Sequence, residues 1–69
     1  MRLSARNVLK GKVVKVTHGV VNSEVVLELA AGIQVVAVIT KQSAEALELA
    51  QGMEAYAVIK ASSIIVAVD

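Results

Sequence analysis

Three short polar clusters interrupt an otherwise apolar chain: Ser4-Ala5-Arg6-Asn7, Thr40-Lys41-Gln42-Ser43 and Lys60-Ala61-Ser62-Ser63. Each combines hydroxyls with at least one cation, and none contains a carboxylate. Hydroxyl, guanidinium, ammonium and backbone N–H groups are the donors that hold an anion, so anion binding is the chemistry these residue types support. Arg6 and Lys60 bring charge, while Ser4, Thr40 and Ser43 bring hydroxyls. Thr40 and Ser43 also precede a stretch of strong helix formers. Residues that cap a helix N-terminus can present an oxyanion to its unpaired N–H groups and positive dipole end. Taken singly, Thr40 and Ser43 read equally well as plain caps, and Arg6 and Lys60 as solvated strand-end charges. The coincidence of cations with hydroxyls at three strand ends is what favours the anion.

Other chemistries find less support. His18 is the sole histidine and there is no cysteine, so a transition-metal site would have to recruit carboxylates or symmetry mates. A hydrolase needs a nucleophile, a base and an orienting group, and His18 stands apart from any local Ser/Asp arrangement; the chain does not read as an enzyme. Glu24, Glu28, Glu45, Glu48 and Glu54 read as solvated faces, and Tyr56 as a barrel or interface residue.

The elements that must position the clusters follow from periodicity. Leu9 to Val16 is rich in valine and favours a strand. After the break at His18-Gly19, a second strand runs from about Val20 to Leu29, with Val25, Leu27 and Leu29 alternating against Glu24, Val26 and Glu28. Ala30-Ala31-Gly32 reads as a tight connection. Ile33 to Ile39 reads as a third strand, apolar on both faces and so expected to be buried on both. Lys41 to Ala50 is the one helical stretch, capped by Thr40 or Ser43, stopped near Gly52, with Ala44 and Leu47 on its apolar stripe. Met53 to Ile59 and Ile64 to Val68 complete the order β-β-β-α-β-β. An all-β chain with one short helix in that order has the layout of a five-stranded, OB-fold-like Greek-key barrel.

A chain of 69 residues is a single domain, 1–69, and buries a modest fraction of its surface. Disulfides are excluded, yet 57% of residues are hydrophobic, more than so small a monomer can hide. Self-association is the remaining reinforcement. The longest uncharged stretch, Leu29 to Thr40, is well short of the roughly 20 apolar residues that span a bilayer, and no apolar segment follows the first charges. The expectation is a cytoplasmic protein without membrane contact. Seven basic residues against six acidic give weak long-range attraction to nucleic acid. OB-like folds often bind single strands through aromatic platforms, but this chain has one tyrosine and no other aromatic residue, so nucleic-acid binding, like a purely structural assembly role, is the lesser alternative. Met1 and an end just after the last expected strand favour a free-standing protein over a piece of a transporter or regulator.

Ser4-Ala5-Arg6-Asn7 at the start, Ile39-Thr40-Lys41-Gln42-Ser43 before the helix and Val58-Ile59-Lys60-Ala61-Ser62 before the last strand resemble, in order and spacing, the molbindin (Mop) family, whose module is also called a TOBE domain. The resemblance covers the whole chain. It implies a protein that stores or buffers molybdate or tungstate, with anions held at subunit interfaces of a homohexamer built as a trimer of dimers. It implies a main site formed by Ser4 and Arg6 of one subunit with Thr40, Ser43, Lys60 and the backbone N–H of Ala61 of its neighbour. A second oxyanion site on a symmetry axis is also implied, for which His18, Gly19, Val20 and Asn22 are the candidates.

Molybdate is a dianion near neutral pH, so Arg6 and Lys60 offset its charge formally while hydroxyls and N–H groups complete a tetrahedral shell. Phosphate in its monoprotonated form brings a donor into a site made largely of donors, which disfavours it. Sulfate, also a dianion, must be separated by cavity size.

Overall fold

A computed structural model describes residues 2–69 of the chain. Its elements are strands β1 (Asn7–His18), β2 (Asn22–Glu28), β3 (Gln34–Thr40) and β4 (Glu54–Ile59), and one helix, α1 (Lys41–Ala46). Single 3-10 turns lie at Ala30–Gly32 and Ala61–Ser63. The strands form one antiparallel sheet in the order β3-β2-β1-β4.

β1 organises the sheet because it is long enough to serve two partners. Asn7 to Lys12 pair with β4, running from Asn7 opposite Ile59 to Lys12 opposite Glu54. Lys12 to His18 pair with β2, from Lys12 opposite Glu28 to His18 opposite Ser23. Between Val13 and Lys15 the β2 register slips by one residue, a bulge at Val14. A bulge sharpens the local twist, and here it curls the sheet. The bulge is pinned from the other side: the Val13 N–H donates to the Met53 carbonyl at 2.9 Å, and the Gly52 N–H donates to the Val13 carbonyl at 2.8 Å.

The curled sheet closes over a small core. Val13, Val25 and Leu27 are buried together, with Val16, Val35, Ile39, Leu49, Met53, Ala55 and Ala57 packed around them. The alternation expected in β2 holds: Ser23, Val25 and Leu27 face inward while Glu24 and Glu28 face solvent. β3 alternates too, and this corrects the expectation of burial on both faces. Val35, Ala37 and Ile39 face the core, whereas Val36 and Val38 stand exposed because no second layer covers that side.

The helix is shorter than the expected span of 41–50. Thr40 caps it as anticipated, its hydroxyl oxygen accepting the Ser43 N–H at 3.1 Å. Its end is set by Glu48, which adopts a left-handed φ of 53°. The Glu48 N–H donates to the Glu45 carbonyl and the Leu49 N–H to the Ala44 carbonyl, the paired bonds of a Schellman stop. That reversal carries Leu49 into the core and leaves Leu47 exposed, while Ala44 is buried as its place on the stripe requires.

The five-stranded expectation is corrected to four. Ile64 to Val68 form no strand: the segment leaves the 3-10 turn in an extended conformation, with Ile64 at φ −90° and ψ 130°, and runs out over no neighbour. Ile65, Val66 and Val68 are 92%, 85% and 92% exposed. β-Branched residues favour the strand conformation, but a strand also needs an edge to pair with, and the segment meets none within its own chain.

Candidate oxyanion site

The polar clusters fall at two ends of β1. At the first end, Asn7 and Ile59 are the terminal pair of the β1–β4 ladder, and the Asn7 side-chain amide also donates to the Ile59 carbonyl at 3.2 Å. This double clip holds the residues just before β1 beside those just after β4. Ser4, Ala5, Arg6, Val58, Lys60, Ala61 and Ser62 thereby line one cleft of about 490 Å³. Arg6 and Lys60 are both exposed to solvent, and no carboxylate is among the lining residues.

The 3-10 turn Ala61–Ser63 is built on the cleft wall. The Ser63 N–H donates to the Lys60 carbonyl at 2.9 Å, and the Lys60 side chain makes no capping bond. The opening amides of such a turn have no acceptor within it, and Ala61 lines the same cleft as Lys60. A tetrahedral oxyanion in this cleft would meet two cations, the Ser4 and Ser62 hydroxyls and backbone amide, with no like charge to repel it. Ser62 belongs in this set although the reading of the sequence placed it only in the polar cluster; its hydroxyl next to Lys60 and Ala61 was the available signal.

Thr40 and Ser43 do not line that cleft. They sit at the opposite end of β1, where Thr40 pairs with Asn22 and His18 pairs with Ser23. The Thr40 hydroxyl donates to the Ser43 hydroxyl at 2.7 Å while accepting the Ser43 N–H, so both side chains are ordered at the start of α1. The Lys41 N–H donates to the Val21 carbonyl at 2.7 Å, tying α1 to the loop between β1 and β2. The candidates His18, Gly19, Val20 and Asn22 lie on or beside that loop. Gly19 closes it by donating its N–H to the Asn22 carbonyl at 2.7 Å, a turn so tight that an added Cβ would sit 2.8 Å from that oxygen. Val20 and Val21 project into solvent.

His18 lies 2.6 Å through Nδ1 from the Ser23 hydroxyl, and Ser23 is the one buried polar residue among those described. Its inward place on β2, two residues before Val25, is the pattern that marks Ser23 in the sequence. Among the described residues no group of three or more His, Asp or Glu side chains is placed to hold a metal ion. The six residues of the expected main site thus divide within one chain: Ser4, Arg6, Lys60 and Ala61 together at one end, Thr40 and Ser43 at the other, whereas the expectation grouped Lys60 and Ala61 with Thr40 and Ser43.

Residues 3–66 match the model of the TOBE domain. Molybdenum-pterin-binding protein 3 of Clostridium pasteurianum is 48% identical over 66 residues, which cover 96% of this chain and 97% of that protein. The solved structure of MopII from Clostridium pasteurianum superposes with a TM-score of 0.93 at 43% identity, covering 97% of this chain and all of that one. The cytoplasmic molybdate-binding protein ModG, solved with molybdate bound, superposes with a TM-score of 0.90 at 46% identity over 94% of this chain and 46% of its own, so this chain spans about half of it. With a matching domain along nearly its whole length and relatives of its own size, the chain belongs to the TOBE-domain family, in its short molbindin (Mop) form.

Proposed function

We propose that this chain binds molybdate or tungstate and serves as an intracellular store or buffer for the oxyanion, in the cytoplasm and without catalysing a reaction. The observation that carries the reading is the carboxylate-free cleft in which Arg6 and Lys60 stand with Ser4, Ser62 and the Ala61 amide. The names of the relatives, molybdenum-pterin-binding and molybdate-binding proteins, identify the oxyanion class. Thr40 and Ser43 complete the main site from a second copy, since they lie at the far end of their own chain. His18, Gly19, Val20 and Asn22 form the second site. The assembly is a homohexamer of single-domain subunits, which supplies the cover that Val20, Val36, Val38 and Leu47 lack in one chain.

Calorimetric titration with molybdate, tungstate, sulfate and phosphate, with native mass spectrometry on the same sample, tests this. Tight binding of the first two, weak binding of the others and a stoichiometry tied to a hexamer are expected. Arg6→Ala and Lys60→Ala each remove a charge-assisted contact worth about 1.5–3 kcal/mol, which corresponds to affinity lowered roughly 10- to 150-fold with the assembly intact. A monomer indifferent to molybdate overturns the reading.

A further inference from the structure

One polar side chain is buried against the apolar core and belongs to none of the three anion clusters. Ser23 is 1% exposed and lies on the inward face of β2, two residues before the buried Val25. Its cross-strand neighbours are Ile39 on β3, which offers no polar group, and His18 on β1. His18 stands directly opposite on the same face, with Nδ1 2.6 Å from the Ser23 hydroxyl. That hydroxyl has no other hydrogen-bond partner among the described residues. The want of a second partner decides the direction of the bond, which heavy-atom positions alone leave open. If Nδ1–H donated, the hydroxyl hydrogen would be buried without an acceptor, and its desolvation would go uncompensated. If the hydroxyl donates, both groups are satisfied. Neutral His18 then carries its hydrogen on Nε2.

We propose that Ser23 is a positioning residue for the second oxyanion site: its buried hydroxyl donates to His18 Nδ1 and thereby fixes His18 as an outward hydrogen-bond donor through Nε2. The proposal rests on the reading of His18 and the loop after it as an oxyanion site, and it adds a residue outside that set. The two ring nitrogens point away from one another, so with Nδ1 turned onto a buried group Nε2 faces the exposed side, and His18 is itself exposed. The loop it opens is rich in donors. The Val20 and Val21 amides donate to no acceptor among the described residues, while Gly19 spends its N–H on the Asn22 carbonyl. Lys41, bonded through its own amide to the Val21 carbonyl, brings a cationic residue to the same loop. Glu24 follows Ser23 on β2 and so lies on the opposite face of the sheet. A fully deprotonated oxyanion offers acceptors only. In the other tautomer Nε2 would meet it with a lone pair, and attraction would become repulsion. Ser23 removes that form. Protonation adds its hydrogen at Nδ1 and leaves Nε2–H in place, so the outward donor persists in both charge states.

His18 is the sole histidine, so its ring signals in a nitrogen NMR spectrum of the isotopically labelled full-length chain need no assignment. At about pH 8.5, where an imidazole is neutral, the parent is expected to show one fixed form with hydrogen on Nε2 and none on Nδ1. Its Nε2–H signal is expected to move as molybdate is added. Ser23→Ala removes one hydroxyl and no backbone bond. It is expected to let the two tautomers interchange, seen as averaging of the two nitrogen signals, and to weaken molybdate binding read at the ring by about 2- to 10-fold, the worth of one ordinary hydrogen bond. Ser23→Thr, which keeps a hydroxyl on a side chain that favours strands, is expected to restore both. A packing role alone would neither move the tautomer nor be rescued by the hydroxyl. Repeating the titrations in an Arg6→Ala background weakens the main site and leaves the ring response to the loop. An Nδ1–H ring in the parent, or ring signals or affinity untouched by Ser23→Ala, overturns the positioning role while the loop site stands. An Nε2–H signal that molybdate does not move overturns the loop site itself and the role of Ser23 with it.

Discussion

Gly11 offers a sharp test of how β1 reaches both halves of the sheet. It pairs with Ala55 on β4 while its inner side is pressed against the end of β2, where an added Cβ would lie 2.6 Å from the Glu28 carbonyl oxygen and 3.0 Å from Leu29 Cδ2. A carbon resting on a carbonyl oxygen normally stands about 3.3–3.6 Å away, so Gly11→Ala must force β1 and β2 apart by about 0.7 Å or more. The oxygen belongs to backbone fixed in a ladder and cannot swing aside. Overpacking of this kind costs about 1–3 kcal/mol, offset by about 0.4–1 kcal/mol from stiffening the unfolded chain. Gly11 is not among the positive-φ glycines, so backbone strain adds nothing and the contact alone acts. The net loss, about 1–2 kcal/mol, is a large share of the roughly 3–10 kcal/mol that a chain of this length commands. Thermal unfolding followed by circular dichroism should show a Tm lowered by about 5–15 °C. Parent and variant must be compared at one protein concentration, because association raises apparent stability. A Gly11→Ala protein melting at or above the parent temperature would refute the close approach of β1 to the end of β2.

Two further outcomes follow from single contacts. Thr40→Ala removes the oxygen that accepts the Ser43 N–H and should lower stability by about 1 kcal/mol in urea unfolding, while Thr40→Ser should retain most of it. Lys10 and Glu54 form an ion pair at 3.4 Å with both side chains mostly in solvent, so Lys10→Ala should change stability by less than about 0.5 kcal/mol, a difference that shrinks further as salt is added in the same assay.

How much of this was legible in the sequence depends on how local each feature is. The inward set Val25 and Leu27, the Thr40 cap and the turn at Ala30–Gly32 follow from neighbours within a few residues, and the chain spells them out. The anion character of the polar clusters was legible for the same reason, since it rests on residue types. Their grouping was not. Ser4 and Arg6 meet Lys60 because Asn7 pairs with Ile59, 52 residues away, and a ladder register of that span leaves no trace in local periodicity. The helix end escaped because Glu48, an ordinary helix former, takes the left-handed position that Gly52 was expected to fill. Val36 and Val38 read as core because their types are apolar, and only the missing second layer places them outside. Ile64 to Val68 reads as a strand for a sound conformational reason; what sequence cannot supply is the edge.

β3 and β4, the two edges of the curled sheet, face one another across an open apolar seam, and Tyr56 lines the clefts along it, half exposed. It is also the chain's only tyrosine, with no phenylalanine beside it and no tryptophan to drain its excitation. The near-ultraviolet absorption and emission of the whole protein therefore originate at that seam. Whatever fills or empties it changes the solvent around a single fluorophore, so the fold carries an optical gauge of its own closure, one per subunit, without any label.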